Sequence, residues 1–294
     1  MIKRSVLVEK KAKITCKYKQ LRIETDERIA SLPIEDIGFL VLDHQETYIS
    51  LPALNLLIEN NSAVIICNTL HLPNGMFLNL NGHHIQQQLF NAQINASAPL
   101  KKNLWQQTVK EKIRNQGFML KKITGIDNKF EFLASKVLSG DTSNMEGVAA
   151  GFYWNSFFEK TFKRERYGKY PNNFLNYGYA ILRAATARAL SGSGLLNTLG
   201  IHHKNKYNAF ALADDIMEPY RPVVDECVHG IAQKFREEEL NTPIKSELLN
   251  LLTRTVYFGN EKSPLMVALQ KTASSLQQCY TGERKKIKYA QLWN

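Results

Sequence analysis

Asp214, Asp215 and Glu218 stand inside an otherwise apolar run, Ala209-Phe210-Ala211-Leu212-Ala213-Asp214-Asp215-Ile216-Met217-Glu218-Pro219-Tyr220-Arg221-Pro222. Bare carboxylates are costly to bury, so such a run asks for a cation or a hydrogen-bond network. Asp215 and Glu218 are three apart and Asp214 and Glu218 four apart, so on a helix either pair shares a face and can meet one ion. A purely local reading competes. Pro219 and Pro222 fit a first helical turn, which places a helix start close to Asp214, with Asp214 or Asp215 as cap and Glu218 complementing the helix dipole. His202 and His203 lie upstream, after Gly192, Gly194 and Gly200, in a loop between two helices; adjacent side chains point apart, so at most one can face the carboxylates. Glu146 has the same two faces. Ser143 and Glu146 fit an S-x-x-E capping box, whereas Gly147, Ala149, Ala150 and Gly151 leave little bulk beside it and permit close approach of a ligand. Two or three carboxylates with an imidazole pose metal-dependent phosphoryl transfer against a set of helix caps.

The elements that must position these residues fall into two textures. Over the first eighty or so residues, Ser5–Glu9, Ala12–Tyr18, Gln20–Glu24 and Ile34–Leu42 are rich in Val, Ile, Leu and Thr, alternate in part between apolar and polar, and predict short strands. Leu51–Asn60 is the helical exception, with Leu54, Leu57 and Ile58 behind Ser50 as N-cap and Pro52 in the first turn. A buried strand is expected over Ala63–Cys67, followed by a turn at Pro73-Asn74-Gly75 before another short apolar run, Met76–Leu80. From about residue 84 the periodicity becomes helical. The expected fold is therefore α+β: a β-rich domain over 1–83, then a larger all-α domain over 84–294.

The 294 residues carry a formal charge of +11, and its placement is uneven. Residues 1–85 hold nine basic and nine acidic residues, so the whole excess lies in 86–294, with 29 basic and 18 acidic. A neutral first part suits protein contact; a basic second part suits a polyanion such as nucleic acid. Basic residues cluster over Leu100–Lys129, which includes Lys110, Lys112, Arg114, Lys121 and Lys122; over Lys160, Lys163, Arg164, Arg166 and Lys169, at the end of a helix expected from Ser143; and over Arg284–Lys288, in a tail expected to be flexible until it meets a partner. Lys160, Lys163, Arg164, Arg166, Arg183, Lys204 and Arg221 are candidate contacts to a phosphate backbone. Tyr153, Trp154, Tyr177 and Tyr179 at helical spacing read as core before they read as base-stacking groups. The four cysteines are scattered without a CxxC pair and read as reduced and buried. No run approaches the roughly 20 apolar residues of a membrane span, and the first ten residues place charges where a secretory signal needs an apolar core, so a cytoplasmic protein without membrane partners is expected.

Four motifs in order resemble one known family: Glu146-Gly147-Val148-Ala149-Ala150 leading into Tyr153-Trp154; Leu175-Asn176-Tyr177-Gly178-Tyr179-Ala180; Gly200-Ile201-His202-His203; and Leu212-Ala213-Asp214-Asp215-Ile216-Met217-Glu218-Pro219-Tyr220-Arg221-Pro222-Val223-Val224-Asp225. Over essentially its whole length the sequence resembles the Cas1 family, the CRISPR-associated integrases of spacer acquisition, and its Asp-Asp-Ile-Met-Glu-Pro run is most similar to the type II form. The resemblance implies a metal site in which the glutamate falls on Glu146, the histidine on His203 with His202 as its neighbour, and the acidic ligand on Glu218 with Asp215 in support. Glu218 is a departure, since many relatives carry aspartate there. Two carboxylates and an imidazole without cysteine suit a hard ion, Mg²⁺ or Mn²⁺.

The implied activity is metal-dependent transesterification, in which the 3′-hydroxyl ends of a short DNA fragment attack CRISPR repeat DNA, with hydrolytic cutting as the same chemistry using water. The implied partners are double-stranded DNA with 3′ overhangs or splayed ends, CRISPR repeat DNA, a second copy joined through the strand domain, a small second Cas protein bridging two such dimers, and proteins of a type II locus, all in the prokaryotic cytoplasm. Two other readings remain open from sequence: a general metal-dependent nuclease on branched DNA or RNA, and a DNA-binding scaffold without catalysis.

Overall fold

The structure is a computed structural model that describes residues 3–125, 129–158, 162–165, 168–235 and 238–292. Lys160 and Arg166 lie outside the described residues. Among the described residues the first part of the chain holds eight strands and one α-helix: β1 (Arg4–Val8), β2 (Lys13–Lys17), β3 (Gln20–Glu24), β4 (Ile29–Pro33), β5 (Ile37–Leu42), β6 (Tyr48–Ile49), α1 (Leu51–Glu59), β7 (Ala63–Cys67) and β8 (Pro73–Phe77). They build two sheets. One runs β1-β5-β7-β8, parallel except for the β7–β8 pair; the other runs β4-β3-β2-β6, antiparallel except for β2–β6.

Strand β5 explains how the two halves join. All six of its residues are buried, because both faces are covered. Phe39 and Val41 point into the large helical core together with Ala63, Ile65 and Cys67 of β7, while Leu40, Leu42 and Val64 point into a smaller core under α1. The period-two alternation thus packs two cores on one sheet, at about 1.5–3 kcal/mol for each fully buried large aliphatic side chain.

Helices begin at α2 (Gln86–Ile94) and continue as α3 (Ala98–Thr124), α4 (Phe130–Lys136), α5 (Met145–Phe157), α6 (Asn172–Gly192), α7 (Ala211–Met217), α8 (Arg221–Lys234), α9 (Thr242–Asn250) and α10 (Leu265–Tyr280). A hairpin, β9 (Thr255–Phe258) with β10 (Glu261–Pro264), interrupts this otherwise helical half. Among the described residues no helix is long and apolar enough to cross a membrane.

Several local expectations change. Pro73-Asn74-Gly75 is strand rather than turn: β8 is an edge strand, where a residue without an N–H leaves no ladder bond unmade. Ile29–Pro33 forms a strand that its short, proline-ended sequence conceals. The segment after α10 is packed, not loose. Thr272 Oγ1 donates to the Lys288 carbonyl at 2.9 Å, the Ile287 N–H donates to Gln107 Oε1 at 2.9 Å, and Ile287, Ala290 and Leu292 are buried. Cys67, Cys227 and Cys279 are buried free thiols and Cys16 is half-buried.

Candidate metal and nucleic-acid site

Helix α3 is the beam on which the site rests. Ser97 caps it by accepting the Leu100 N–H, Pro99 sits in its first turn, and Gly125 ends it in the left-handed conformation. Trp105, Lys112 and Asn115 fall at intervals of seven and three, which is one helical face, and all three are buried. Trp105 stacks flat on His202, ring centroids 4.3 Å apart, and meets His203 edge-on at 5.8 Å. Asn115 Nδ2 donates to the Pro219 carbonyl at 2.6 Å. Between them Lys112 reaches two carboxylates at once, Glu146 Oε1 at 2.6 Å and Glu218 Oε2 at 2.5 Å.

Glu146 is delivered by the first turn of α5. The expected Ser143–Glu146 capping box is replaced by a different device: Asn144, in the left-handed region, is the N-cap and accepts the Gly147 N–H, while the Asp141 carboxylate accepts the Met145 and Glu146 N–H groups at 2.9 and 3.0 Å. The Glu146 side chain, released from capping, extends to Lys112.

Glu218 is delivered by the prolines. The helix does not start near Asp214; α7 begins at Ala211, and at Pro219 the chain tightens into a single 3-10 turn, Glu218–Tyr220, before α8 continues. Pro219 and Pro222 each remove a backbone donor, so the regular α ladder cannot run through, and the tightened joint aims Glu218 inward. Glu218 is 4% exposed. Oε1 pairs with Arg221 at 3.0 Å while Oε2 faces Lys112. Burial would raise the Glu218 carboxyl, but Arg221 and Lys112 outweigh it and hold it below the ordinary range. For Lys112 burial pulls down while Glu218 and Glu146 win, leaving the ammonium above its ordinary range.

The remaining acidic residues are spent locally. Asp215 is fully buried and accepts the Ile201, His202 and His203 N–H groups at 2.6, 2.9 and 3.3 Å, together with His203 Nδ1 at 2.5 Å. That hydrogen bond raises His203 from its ordinary range. Nδ1 is thereby committed, and Nε2 is the nitrogen left for a ligand. Gly200 makes the turn possible: a Cβ there would stand 2.5 Å from the His203 carbonyl and 2.9 Å from Asp215 Oδ2. Asp214 pairs with Arg183 at 2.6 Å and accepts from Asn208 at 2.8 Å.

Among the described residues no three His, Cys, Asp or Glu side chains stand in metal-holding geometry. What converges is a pair of carboxylates on one cationic centre of α3, with an imidazole held by Asp215 and packed edge-on against Trp105 of the same helix. This oxygen-rich donor set suits a hard divalent ion.

The basic candidates divide. Lys163 and Lys204 are exposed. Arg164 is tied to Asn172 at 2.9 Å and Asn176 at 2.6 Å and lies over the Tyr179 ring, with Arg221 over the same ring. Arg183 is bound to Asp214, so three of the arginines hold the site together. Tyr153, Tyr177 and Tyr179 are core, and Trp154 is half-buried among Phe157, Phe158 and Phe162. Lys112 is the residue that sequence reading misplaced, as one of a phosphate-facing row. Its register carried the signal: Trp105, Val109, Ile113 and Gln116 mark the buried face, and Lys112 falls on it.

The family model for the CRISPR associated protein Cas1 matches residues 6–249. The chain is 36% identical over 287 residues to the CRISPR-associated endonuclease Cas1 of Neisseria meningitidis serogroup C (strain 8013), covering 96% of this chain and 94% of the relative. Its fold is similar to that of a casposase bound to integration product, with TM-score 0.80 at 19% identity over 97% and 92% of the two chains. It is also similar to a chain of a Cas6-RT-Cas1–Cas2 complex, with TM-score 0.76 at 21% identity over 99% of this chain and 36% of that one.

Proposed function

The chain belongs to the Cas1 family of CRISPR-associated proteins, and from that premise we propose that this CRISPR adaptation endonuclease and integrase inserts short foreign DNA fragments into the CRISPR array with Glu146, His203 and Glu218 holding Mg²⁺ or Mn²⁺. The observation that carries the assignment is the convergence of Glu146 and Glu218, borne by separate elements, on one cationic centre beside an imidazole whose Nδ1 is already fixed. A bound divalent ion supplies charge neutralisation at the attacked phosphate and acidifies a 3′-hydroxyl or water.

The side chains do the positioning. Asp215 engages His203 Nδ1 and leaves Nε2 for a ligand, the supporting role commonly met behind a ligating histidine. Its oxygens already accept three N–H groups and the ring, so Glu218 is the direct acidic ligand. Arg221 keeps Glu218 charged and aimed. Lys163 and Lys204 are exposed and can meet a phosphate backbone, a contact without sequence preference that weakens with salt.

The partners follow from the same reading: DNA with 3′ overhangs or splayed ends, CRISPR repeat DNA, a homodimer through the strand domain, whose Tyr18, Ile29, Tyr48 and Leu51 are exposed apolar surface, and a small second Cas protein bridging two dimers, within a type II locus of the prokaryotic cytoplasm. The likeness to a chain of a Cas6-RT-Cas1–Cas2 complex supports the second Cas protein as a partner.

The test offers the protein, the second Cas protein, Mn²⁺ and a short fragment to supercoiled plasmid with and without a CRISPR repeat. Joining confined to the repeat plasmid is expected, falling on the order of a hundredfold or more in His203→Ala with DNA binding unchanged. Undiminished joining by that variant removes His203 from the site. Repeat-independent hydrolysis as the sole activity favours the general nuclease, and binding without any strand chemistry favours the scaffold.

A further inference from the structure

Lys112 stands between the two carboxylates assigned to a divalent ion. Its ammonium touches Glu146 and Glu218 at 2.6 and 2.5 Å, within contact distance of both carboxylates. We propose that Lys112 is a resident counter-ion that holds the two carboxylates together in the unloaded protein and withdraws when the ion binds. The proposal rests on the metal-site assignment above and adds to it a residue that competes with the metal.

Three features make the exchange workable. A lysine is a compact charge on a flexible four-carbon stem, able to leave one position for another, which a rigid guanidinium fork is not. Glu218 does not become an isolated buried charge when the ammonium goes, because Arg221 holds its other oxygen at 3.0 Å. Glu146 offers a way out, its side chain being 24% exposed while that of Glu218 is 5% exposed, so the triad opens to solvent on the Glu146 side. The backbone that carries each carboxylate is fixed without Lys112: α5 by the Asn144 and Asp141 caps, the 3-10 turn by Asn115. The carboxylates therefore stay close when the lysine leaves, and an ion finds them placed.

Removing the lysine and supplying no ion leaves two like charges, Glu146 and Glu218, facing each other with Arg221 on Glu218 to offset them, which is unfavourable. This gives a readout that a merely structural lysine would not show. In Lys112→Gln, the melting temperature falls without metal and is restored by Mn²⁺, and the variant binds Mn²⁺ at least about tenfold more tightly than the unmodified protein by titration calorimetry; Lys112→Arg, which keeps the charge, shows neither gain. Equal or weaker Mn²⁺ binding by Lys112→Gln, or a lost melting temperature that Mn²⁺ does not restore, overturns the proposal.

A crystal structure of the unmodified protein in saturating Mn²⁺ provides a measurement independent of the variant's folding. The Lys112 ammonium must have left at least one carboxylate, and an ammonium still in contact with both beside a bound ion refutes the exchange. Glu218→Gln separates the two levels: if it binds Mn²⁺ as well as the unmodified protein does, the metal-site assignment itself has failed.

Discussion

Two corners of this molecule contain nearly the same ingredients. At one, Lys112 lies between Glu146 and Glu218 with His203 near by; at the other, Lys245 of α9 lies between Asp43 at 2.6 Å and Glu9 at 3.3 Å, with His71 on the far oxygen of Asp43 at 3.0 Å. Each is a buried lysine with two carboxylates and a histidine. The difference is in what else holds each group. Among the described residues Asp43 has Lys245 as its one buried cation, and that lysine ties α9 to the end of β5, joining the strand half to the helical half. Around Lys112 every partner has a second anchor: Arg221 on Glu218, the α5 caps behind Glu146, and Asp215 behind His203. A lysine whose partners are independently held can be exchanged for another cation, whereas one that is itself the holding element cannot.

The largest effect that tests this contrast is on stability. Lys245→Met leaves Asp43 buried at the joint with only the exposed His71 ring against it, and removal of one partner of such a buried pair costs about 3–5 kcal/mol. Urea unfolding should show that loss unchanged by Mn²⁺, in contrast to the metal-restored Lys112→Gln. Recovery of Lys245→Met by Mn²⁺ would erase the distinction between the two corners.

A third buried carboxylate sharpens the point because it has tyrosines in place of a lysine. Asp225 accepts from Tyr153 Oη at 2.9 Å and also from Tyr179 Oη, and burial raises its carboxyl to about 6 against the tyrosine hydrogen bonds and the Arg221 and Arg164 charges. A carboxyl raised on folding contributes stability that is complete below its unfolded value near 3.8 and is lost as pH rises through about 6. Glu218, lowered by its cations, has the opposite sign: its contribution is present above the ordinary glutamate range and is lost on acidification. The Asp225→Asn variant removes the first titration alone. Its stability relative to the unmodified protein should rise by roughly 2–3 kcal/mol between pH 4 and pH 7, measured by denaturant unfolding across that range. A flat difference would show that Asp225 is held charged like the lysine-paired groups.

Much of this organisation is legible in the chain, for reasons that differ by element. Alternation in Gln20–Glu24 and Ile37–Leu42, and Ser50 with Pro52 ahead of α1, act through neighbours in sequence, so they could be read directly. Glu146, His203 and Glu218 stand out as motif residues. Their supports do not, because each is a contact across the chain: Lys112 to Glu218, Asn115 to the Pro219 carbonyl, Asp141 to the start of α5. Arg164 and Arg183 were indistinguishable from phosphate contacts until their partners Asn172, Asn176 and Asp214 were placed beside them. A charge count records the ion and cannot record whether folding has already spent it.

The smallest effect concerns a residue with no charge. Gly200 lets the Gly200–His203 turn close on Asp215, and a methyl group there would meet the Asp215 carboxylate and the His203 carbonyl within 3 Å. The neighbours are backbone and a carboxylate with four bonds to keep, so they cannot give way cheaply, and overpacking of this kind costs about 1–3 kcal/mol. The expected signature of Gly200→Ala is uneven. Global stability drops modestly, while Mn²⁺ affinity drops about 10–100-fold, the range typical when the group behind a ligating histidine is disturbed. The Lys245 corner lies in the joint between the two halves and should be unaffected, so Gly200→Ala combined with Lys245→Met should be additive in stability. Coupling between them would mean that the two lysine corners, alike in composition, are also mechanically one.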